Sequence, residues 1–174
     1  MVAGNLGLTI AIPNWNHELV LPRAIQSALR SLQVLRDQGI PGEVLVIDEG
    51  SRDGSPTLLR QLEAQYYDQG LRVLAFADTQ RLAETRSQSL VHGRYRYVAF
   101  CDADNELIPE NVPIFLRALQ ETGAAAAYGN LLYRSVTSKY AFNVLSNESF
   151  QGQSGVFCSR RSACVSLSVD PVFR

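Results

Sequence analysis

Short, continuous runs of apolar, β-prone residues alternate with helical segments along most of this chain, and most of the runs stop at a polar cluster. Leu8-Thr9-Ile10-Ala11-Ile12 is the first such run and ends at Pro13. Strands this uniformly apolar must be covered on both faces. With helices between them, that predicts a mainly parallel sheet inside an α/β domain. Apolar residues at helical spacing then predict a helix over Leu19–Leu35, closed by Gly39 and Pro41-Gly42. The alternation continues with a strand at Val44–Ile47 and a helix from Ser55 to about Tyr67, with Ser55 expected as N-cap and Pro56 at the first helical position. A strand at Leu71–Ala75, a helix at Leu82–Val91, a strand at Tyr97–Cys101 and a helix at Pro109–Leu119 follow, and Ala124–Leu132 is expected as a fifth strand. Beyond Tyr133 the pattern weakens, with a strand expected at Gly155–Cys158 and a short helix at Arg161–Leu167.

Composition narrows the function. The 174 residues suffice for one domain with a full core. A net charge of −1 offers no basic stripe for a nucleic acid. No apolar run reaches the roughly 18 residues of a membrane span, and the start of the chain lacks the features of a signal peptide. Three cysteines, Cys101, Cys158 and Cys164, form no C-x-x-C pair. They read as free thiols in a reducing, cytoplasmic setting, where the glycosylation tripeptide Asn147-Glu148-Ser149 would be moot.

In parallel sheets ligands bind beyond the carboxyl ends of the strands, and the polar clusters fall there. Asp102-Ala103-Asp104 follows the fourth strand directly. In an extended segment residues i and i+2 share a side, so the two carboxylates converge on one hard cation. Mg²⁺ or Mn²⁺ takes one or two carboxylates together with phosphate oxygens and water. A solvated turn is the plainer alternative; the position at a strand end favours the metal. Asp48-Glu49-Gly50-Ser51-Arg52-Asp53-Gly54-Ser55 offers acceptors for a base N–H or ribose hydroxyls, or else a simple strand-to-helix turn. Pro13-Asn14-Trp15-Asn16 joins an aromatic ring to amides, which suits a flat base, or else is a capped helix start with Trp15 packed against a neighbouring element. Arg81 and Arg86 flank the start of the third helix, where one of them could meet a diphosphate or both could equally be solvated surface charges. His17 and His92 have no partner motif and read as structural or solvent-facing.

The combination resembles the family 2 glycosyltransferases of the GT-A fold. Ile10 to Asn16 is similar to that family's opening strand and P-x-Y-N turn, with Trp15 in the Tyr place. Val46 to Ser55 resembles V-D-D-G-S-x-D-G-[ST], Leu82 to Ser87 resembles G-L-x-x-A-R-N, and Tyr97 to Asn105 resembles Y-[IV]-x-F-L-D-[AS]-D-D. The resemblance implies a Rossmann-like, three-layer α/β/α sandwich in one domain over 1–174. Residues 7–130 would form the nucleotide-sugar-binding part and 131–174 a partial acceptor side. It further implies that Pro13, Asn14 and Trp15 line the base pocket. Asp48 or Glu49 would contact base or ribose, and Arg86 would lie near base or diphosphate. Asp102 would face ribose and metal, and Asp104 would bind the metal. The implied reaction is an inverting transfer from a nucleotide-diphosphate sugar, a UDP-sugar first, to a saccharide, lipid or protein acceptor.

Four departures stand out: Glu49 for Asp, Ser87 for Asn, Asn105 for a second acid, and no E-D pair after Asn105 to supply the expected general base. Asp170 is the one late candidate, and the chain reads as cut just before the usual base, so that alone it would bind donor but transfer poorly. A non-catalytic nucleotide-sugar-binding module is therefore the alternative reading. A nucleotidyltransferase would need a Gly-rich basic loop after the first strand, and a dehydrogenase G-x-G-x-x-G; neither is present.

Overall fold

The computed structural model describes residues 6–78, 82–124, 126–128 and 156–158. Within them strand β1 (Leu8–Asn14) leads into helix α1 (Leu21–Asp37), β2 (Gly42–Glu49), α2 (Ser55–Tyr66) and β3 (Leu71–Phe76). The chain continues through α3 (Leu82–His92), β4 (Tyr97–Phe100), α4 (Asn111–Thr122), β5 (Ala126–Tyr128) and β6 (Val156–Cys158). The described strands form one sheet in the order β3-β2-β1-β4-β6-β5. β1 pairs in parallel with β2 and β4, and β2 with β3. β6 runs antiparallel between β4 and β5.

The expected α/β architecture, a mainly parallel sheet between helical layers, is therefore the one observed. Strand alternation divides the core. Leu8, Ile10 and Ile12 of β1, Val44 and Val46 of β2, and Tyr97 and Ala99 of β4 share one cluster with the apolar stripes of α1 and α4 and with Leu59 of α2. Ala11, Val98 and Phe100 point to the other face, where they meet Leu90 of α3. That second cluster is much the smaller, and its face also carries the buried polar residues Thr9 and Glu43.

Several boundaries differ from expectation for local reasons. α1 starts at Leu21, because the amides of Val20 and Leu21 both donate to the His17 carbonyl and Pro22 sits in the first turn; Leu19 stays 92% exposed in the preceding turn. α4 starts at Asn111 after a turn in which Asn111 and Val112 donate to Ile108 and Pro109. Ser55 does not cap α2. Gly54 is the N-cap, Ser55 is the first helical residue, and its Oγ is buried without a partner among the described residues. The Ser55 amide instead donates to Asp53 Oδ1 at 2.9 Å. The fifth strand is described only over Ala126–Tyr128, shorter than the expected Ala124–Leu132. The expected late strand is found at Val156–Cys158. The helix at Arg161–Leu167, Arg81, Cys164, Asn147-Glu148-Ser149 and Asp170 lie outside the described residues.

The order of strands places a switch at β1. From β1 the chain builds outward through β2 and β3, then returns to set β4 on the other side. The crevice between the ends of β1 and β4 is where such sheets take ligands. Pro13 fits this end of β1. Ala11 accepts from the Cys101 amide at 3.0 Å, so odd-numbered residues of β1 face β4. Pro13 lies beyond the last β4 partner, so its missing N–H costs no ladder bond.

Candidate functional site

Three loops meet at that end of the sheet. The first follows β1. Asn14 is 1% exposed, and its Nδ2 donates to Asp48 Oδ1 at 2.7 Å and to Ser51 Oγ at 3.2 Å. A carboxylate can only accept, so the amide nitrogen must be the atom facing Asp48. Asn14 Oδ1 is then left buried without a partner among the described residues. Pro13 is buried beside it, and Trp15 stands 49% exposed at the rim.

The second loop follows β2. Asp48, at 2% exposure, also accepts from Ser51 Oγ at 2.6 Å. Both bonds end on Oδ1, which leaves Oδ2 as the acceptor without a bond among the described residues. Glu49 is buried at 6% exposure and turns toward α3. Burial pushes its carboxyl above the ordinary range; a hydrogen bond with Thr85 opposes this, and Asp48 and Glu84 add to it. Gly50 has φ of 69°, and a Cβ there would meet the Ala77 carbonyl oxygen at 2.9 Å. That close approach of the β3–α3 loop explains the glycine.

The third loop follows β4. Cys101 and Ala103 are buried, Asp102 is half-buried and Asp104 exposed, but Ala103 and Asp104 form a turn and not the extended segment expected. The Asn105 amide donates to the Asp102 carbonyl at 3.0 Å, which turns the chain. The Leu107 amide donates to Ser27 Oγ of α1 at 3.0 Å and anchors the loop. Arg86, from the first half of α3, places Nη2 at 3.4 Å from Asp102 Oδ1 and lays its guanidinium over the Phe100 ring at 5.5 Å. Its Nε is buried without a partner among the described residues. Burial raises the Asp102 carboxyl; Arg86 opposes the shift and Asp104 adds to it. Burial, then the charges of Asp102, Asp104 and Glu106, push the Cys101 thiol up to about 12, so it stays protonated.

The donor set fits a hard divalent cation. The Asp102 carboxyl is raised chiefly by burial and further by the charge of Asp104, and a cation between the two carboxylates would relieve that repulsion. No group of three or more His, Cys, Asp or Glu gathers among the described residues. The protein would thus supply two carboxylates and leave the other positions to phosphate oxygens and water, the habit of Mg²⁺.

Asn14 and Asp48 thus bond to each other at the ends of β1 and β2, Arg86 pairs with Asp102 beyond β4, and Glu49 turns toward α3, with Trp15 and Asp104 exposed. What the sequence reading left out of the site is the set of residues that tie the loops together. Asn16 Oδ1 accepts from the amides of Arg52 at 2.7 Å and Asp53 at 3.3 Å, and its own amide donates to Ser51 Oγ at 2.8 Å. Asp53 Oδ2 accepts from the Glu18 amide at 3.0 Å, and Glu18 Oε2 accepts from the Gly54 amide at 2.9 Å. Small polar residues clustered at two strand ends were the available signal; nothing in the spacing says that the clusters bond to one another.

A parallel sheet with a switch beside paired carboxylates defines an α/β domain of the GT-A class. The chain belongs to Glycosyl transferase family 2, whose family model matches residues 9–161. It is 26% identical over 124 residues to the succinoglycan biosynthesis protein ExoO of Rhizobium meliloti, covering 71% of this chain and 33% of that protein. Among solved structures it is similar to the mannosyltransferase PcManGT of Pyrobaculum calidifontis in complex with GDP-Man and Mn²⁺. That likeness has a TM-score of 0.67 and 18% identity, and covers 91% of this chain and 47% of the other. It is also similar to glucosyl-3-phosphoglycerate synthase of Mycobacterium tuberculosis in complex with Mg²⁺ and uridine diphosphate. There the TM-score is 0.56 at 19% identity, over 90% of this chain and 57% of the other. The chain thus spans a third to somewhat over half the length of these proteins. Among its described residues no helix is long and apolar enough to cross a membrane.

Proposed function

We propose that this chain is the donor-binding domain of a glycosyltransferase that takes a uridine-diphosphate sugar and transfers the sugar, with inversion, to an acceptor hydroxyl. The observation that carries the reading is the buried Asn14 Oδ1, without a partner among the described residues, beside the Asp48 carboxylate whose two bonds both fall on Oδ1, at strand ends that neighbour the carboxylates after β4. Buried acceptors ask for donors, and a nucleoside supplies them. Uracil offers a single N–H between two carbonyls. One free carboxylate oxygen on Asp48 suits that edge better than the adjacent N–H and amino donors of guanine, which call for both oxygens.

In this reading Trp15 stacks on the base from the rim, and Asp48 or Glu49 reads base or ribose. Asp102 faces ribose and cation, and Asp104 holds the cation. Arg86, fixed over Phe100, has its remaining donors for the diphosphate. A bound Mn²⁺ or Mg²⁺ would neutralise the diphosphate as it leaves. The chain's own residues orient the donor so that the sugar carbon faces an acceptor, and inversion asks a carboxylate base for the acceptor proton. Asp170, the candidate named for that role, lies outside the described residues. The division into a donor part over 7–130 and an acceptor part over 131–174 belongs to the same proposal.

The test is calorimetry of UDP with and without Mn²⁺. The parent chain should bind UDP more tightly with Mn²⁺, and the double variant Asp102→Ala, Asp104→Ala should lose that enhancement while keeping metal-free binding. An equal response to Mn²⁺ in parent and variant would remove the metal from these two residues.

A further inference from the structure

We propose that Asn16 is a positioning residue for the nucleoside pocket: it holds the loop after β2 against the loop after β1 and so fixes Asp48 and Trp15 without contacting the nucleoside. The inference rests on the function proposed above and adds to it a residue that acts through others.

Among the described residues Asn16 alone of the non-glycine residues has positive φ, at 57°. Asparagine enters this left-handed conformation at less cost than most residues, and unlike glycine it brings a side chain. That side chain accepts from two consecutive amides, Arg52 and Asp53. These amides lie between the end of β2 and the start of α2, where no strand or helix bond is available to them. The backbone turn made by the positive φ also aims the Asn16 amide at Ser51 Oγ. One residue thus grips the facing loop through its side chain and through its backbone.

Ser51 relays the grip to Asp48. A hydroxyl has one proton and two lone pairs. The proton goes to Asp48 Oδ1 at 2.6 Å, since a carboxylate cannot donate, and the lone pairs receive the Asn16 amide and Asn14 Nδ2. Every valence of Ser51 is used, and the Asp48 carboxylate is held with Oδ1 occupied and Oδ2 presented.

A second tie runs alongside. Glu18 and Asp53 exchange bonds, each carboxylate accepting a backbone amide from the other loop. A Cβ at Gly54 would stand 2.0 Å from Glu18 Oε1, so the absent side chain at Gly54 is what admits the Glu18 carboxylate. Trp15 lies between Asn14 and Asn16, both anchored in this network, so its half-exposed indole is carried by two fixed neighbours.

The experiment compares Asn16→Ala, Asn16→Gly and Asn16→Asp with the parent in calorimetric titrations of UDP and of pyrophosphate, both with Mn²⁺. Hydrogen exchange at the Arg52 and Asp53 amides is followed in parallel. Asn16→Ala should speed exchange at both amides and weaken UDP on the order of tenfold, the scale of one or two lost hydrogen bonds, while pyrophosphate is unchanged. Asn16→Gly adopts the same backbone without strain and should show the same loss, which separates the side chain from the turn and guards against a variant that fails to fold. Asn16→Asp keeps an oxygen for the two amides and should restore UDP affinity to within about threefold of the parent. UDP binding unchanged in Asn16→Ala and Asn16→Gly, with Asp48→Ala weakened, overturns the positioning role and leaves the nucleoside reading standing. Parallel loss of UDP and pyrophosphate also overturns it, because general loosening does not single out the nucleoside. If Asp48→Ala binds UDP as the parent does, both readings fall.

Discussion

Asp48 and Glu49 are adjacent acids at the end of one strand, yet alternation along β2 sends their side chains to opposite sides. Asp48 meets Asn14 and Ser51 in the crevice; Glu49 meets Thr85 of α3. In Asp48→Ala the nucleoside should lose a hydrogen bond to a charged group, a loss of about 1.5–3 kcal/mol with or without metal. Titrating UDP and pyrophosphate side by side checks this, and an equal loss for both would mean that Asp48 does not read the nucleoside. Glu49 carries a pH signature. Its carboxyl is raised above the ordinary 4.5 in the folded chain, mainly by burial. The folded state therefore holds the proton more tightly than the unfolded state. The stability that follows is fully present below that ordinary value and is lost as pH rises through the folded one. Glu49→Gln, neutral throughout and able to accept from Thr85, should therefore be more stable than the parent at neutral pH and lose that advantage in acid. Urea midpoints on either side of the carboxylate range read the difference, and an advantage independent of pH would show that the buried charge is not its cause. The extra methylene of Glu49, a departure from the family pattern, is thus accompanied by a tie to the helix that bears Arg86.

At the scale of elements, α3 packs with few apolar side chains among the described residues. It covers the thin face of the sheet, with Leu90 its one buried apolar side chain in that cluster. The face is held as much by a buried charge. Glu43, 2% exposed, accepts from Thr9 Oγ1 at 3.0 Å, from Arg72 Nη1 at 3.1 Å and from the Arg94 amide at 2.6 Å, while Arg72 Nη2 donates to the carbonyl of His92 at the end of α3. The strands β1, β2 and β3 and the end of α3 are thereby joined at the edge of the sheet opposite the crevice. Glu43→Ala should cost about 3 kcal/mol of unfolding free energy, the low end for breaking a buried pair, because Arg94 is exposed enough to swing into water. Chemical denaturation measures it. A cost within about 0.5 kcal/mol, the ordinary range of a surface change, would show that the network is idle. UDP affinity should change far less than stability, because the network lies away from the crevice.

For the whole molecule, binding at the crevice between β1 and β4 should stabilise every element that borders it. At a UDP concentration a hundredfold above its dissociation constant, with Mn²⁺ present, the gain is about 2.7 kcal/mol, which for a chain of this size raises the melting temperature by roughly 5–10 °C. In the double variant Asp102→Ala, Asp104→Ala the part of the shift that depends on Mn²⁺ should vanish; its survival would place the metal elsewhere. The sequence by itself determined the alternation of strands and helices over residues 8–122, the parallel sheet, and the placing of three polar clusters at strand ends. Those properties follow from periodicity and from glycine and proline, which act over a few residues and leave a local record. It also marked Asp48, Arg86 and Asp102, because their motifs are contiguous. Only the tertiary structure decided that β6 runs antiparallel between β4 and β5, that Leu90 of α3 joins β1 and β4 in a second cluster on one face of the sheet, and that Asp53, with Gly54 before the helix, takes the place expected of Ser55 at α2. It likewise decided that Asn16 grips Arg52 and Asp53, partners 36 and 37 residues away. A hydrogen bond across that separation depends on how two strands lie side by side, and no local pattern of residues encodes which loop an amide oxygen will face.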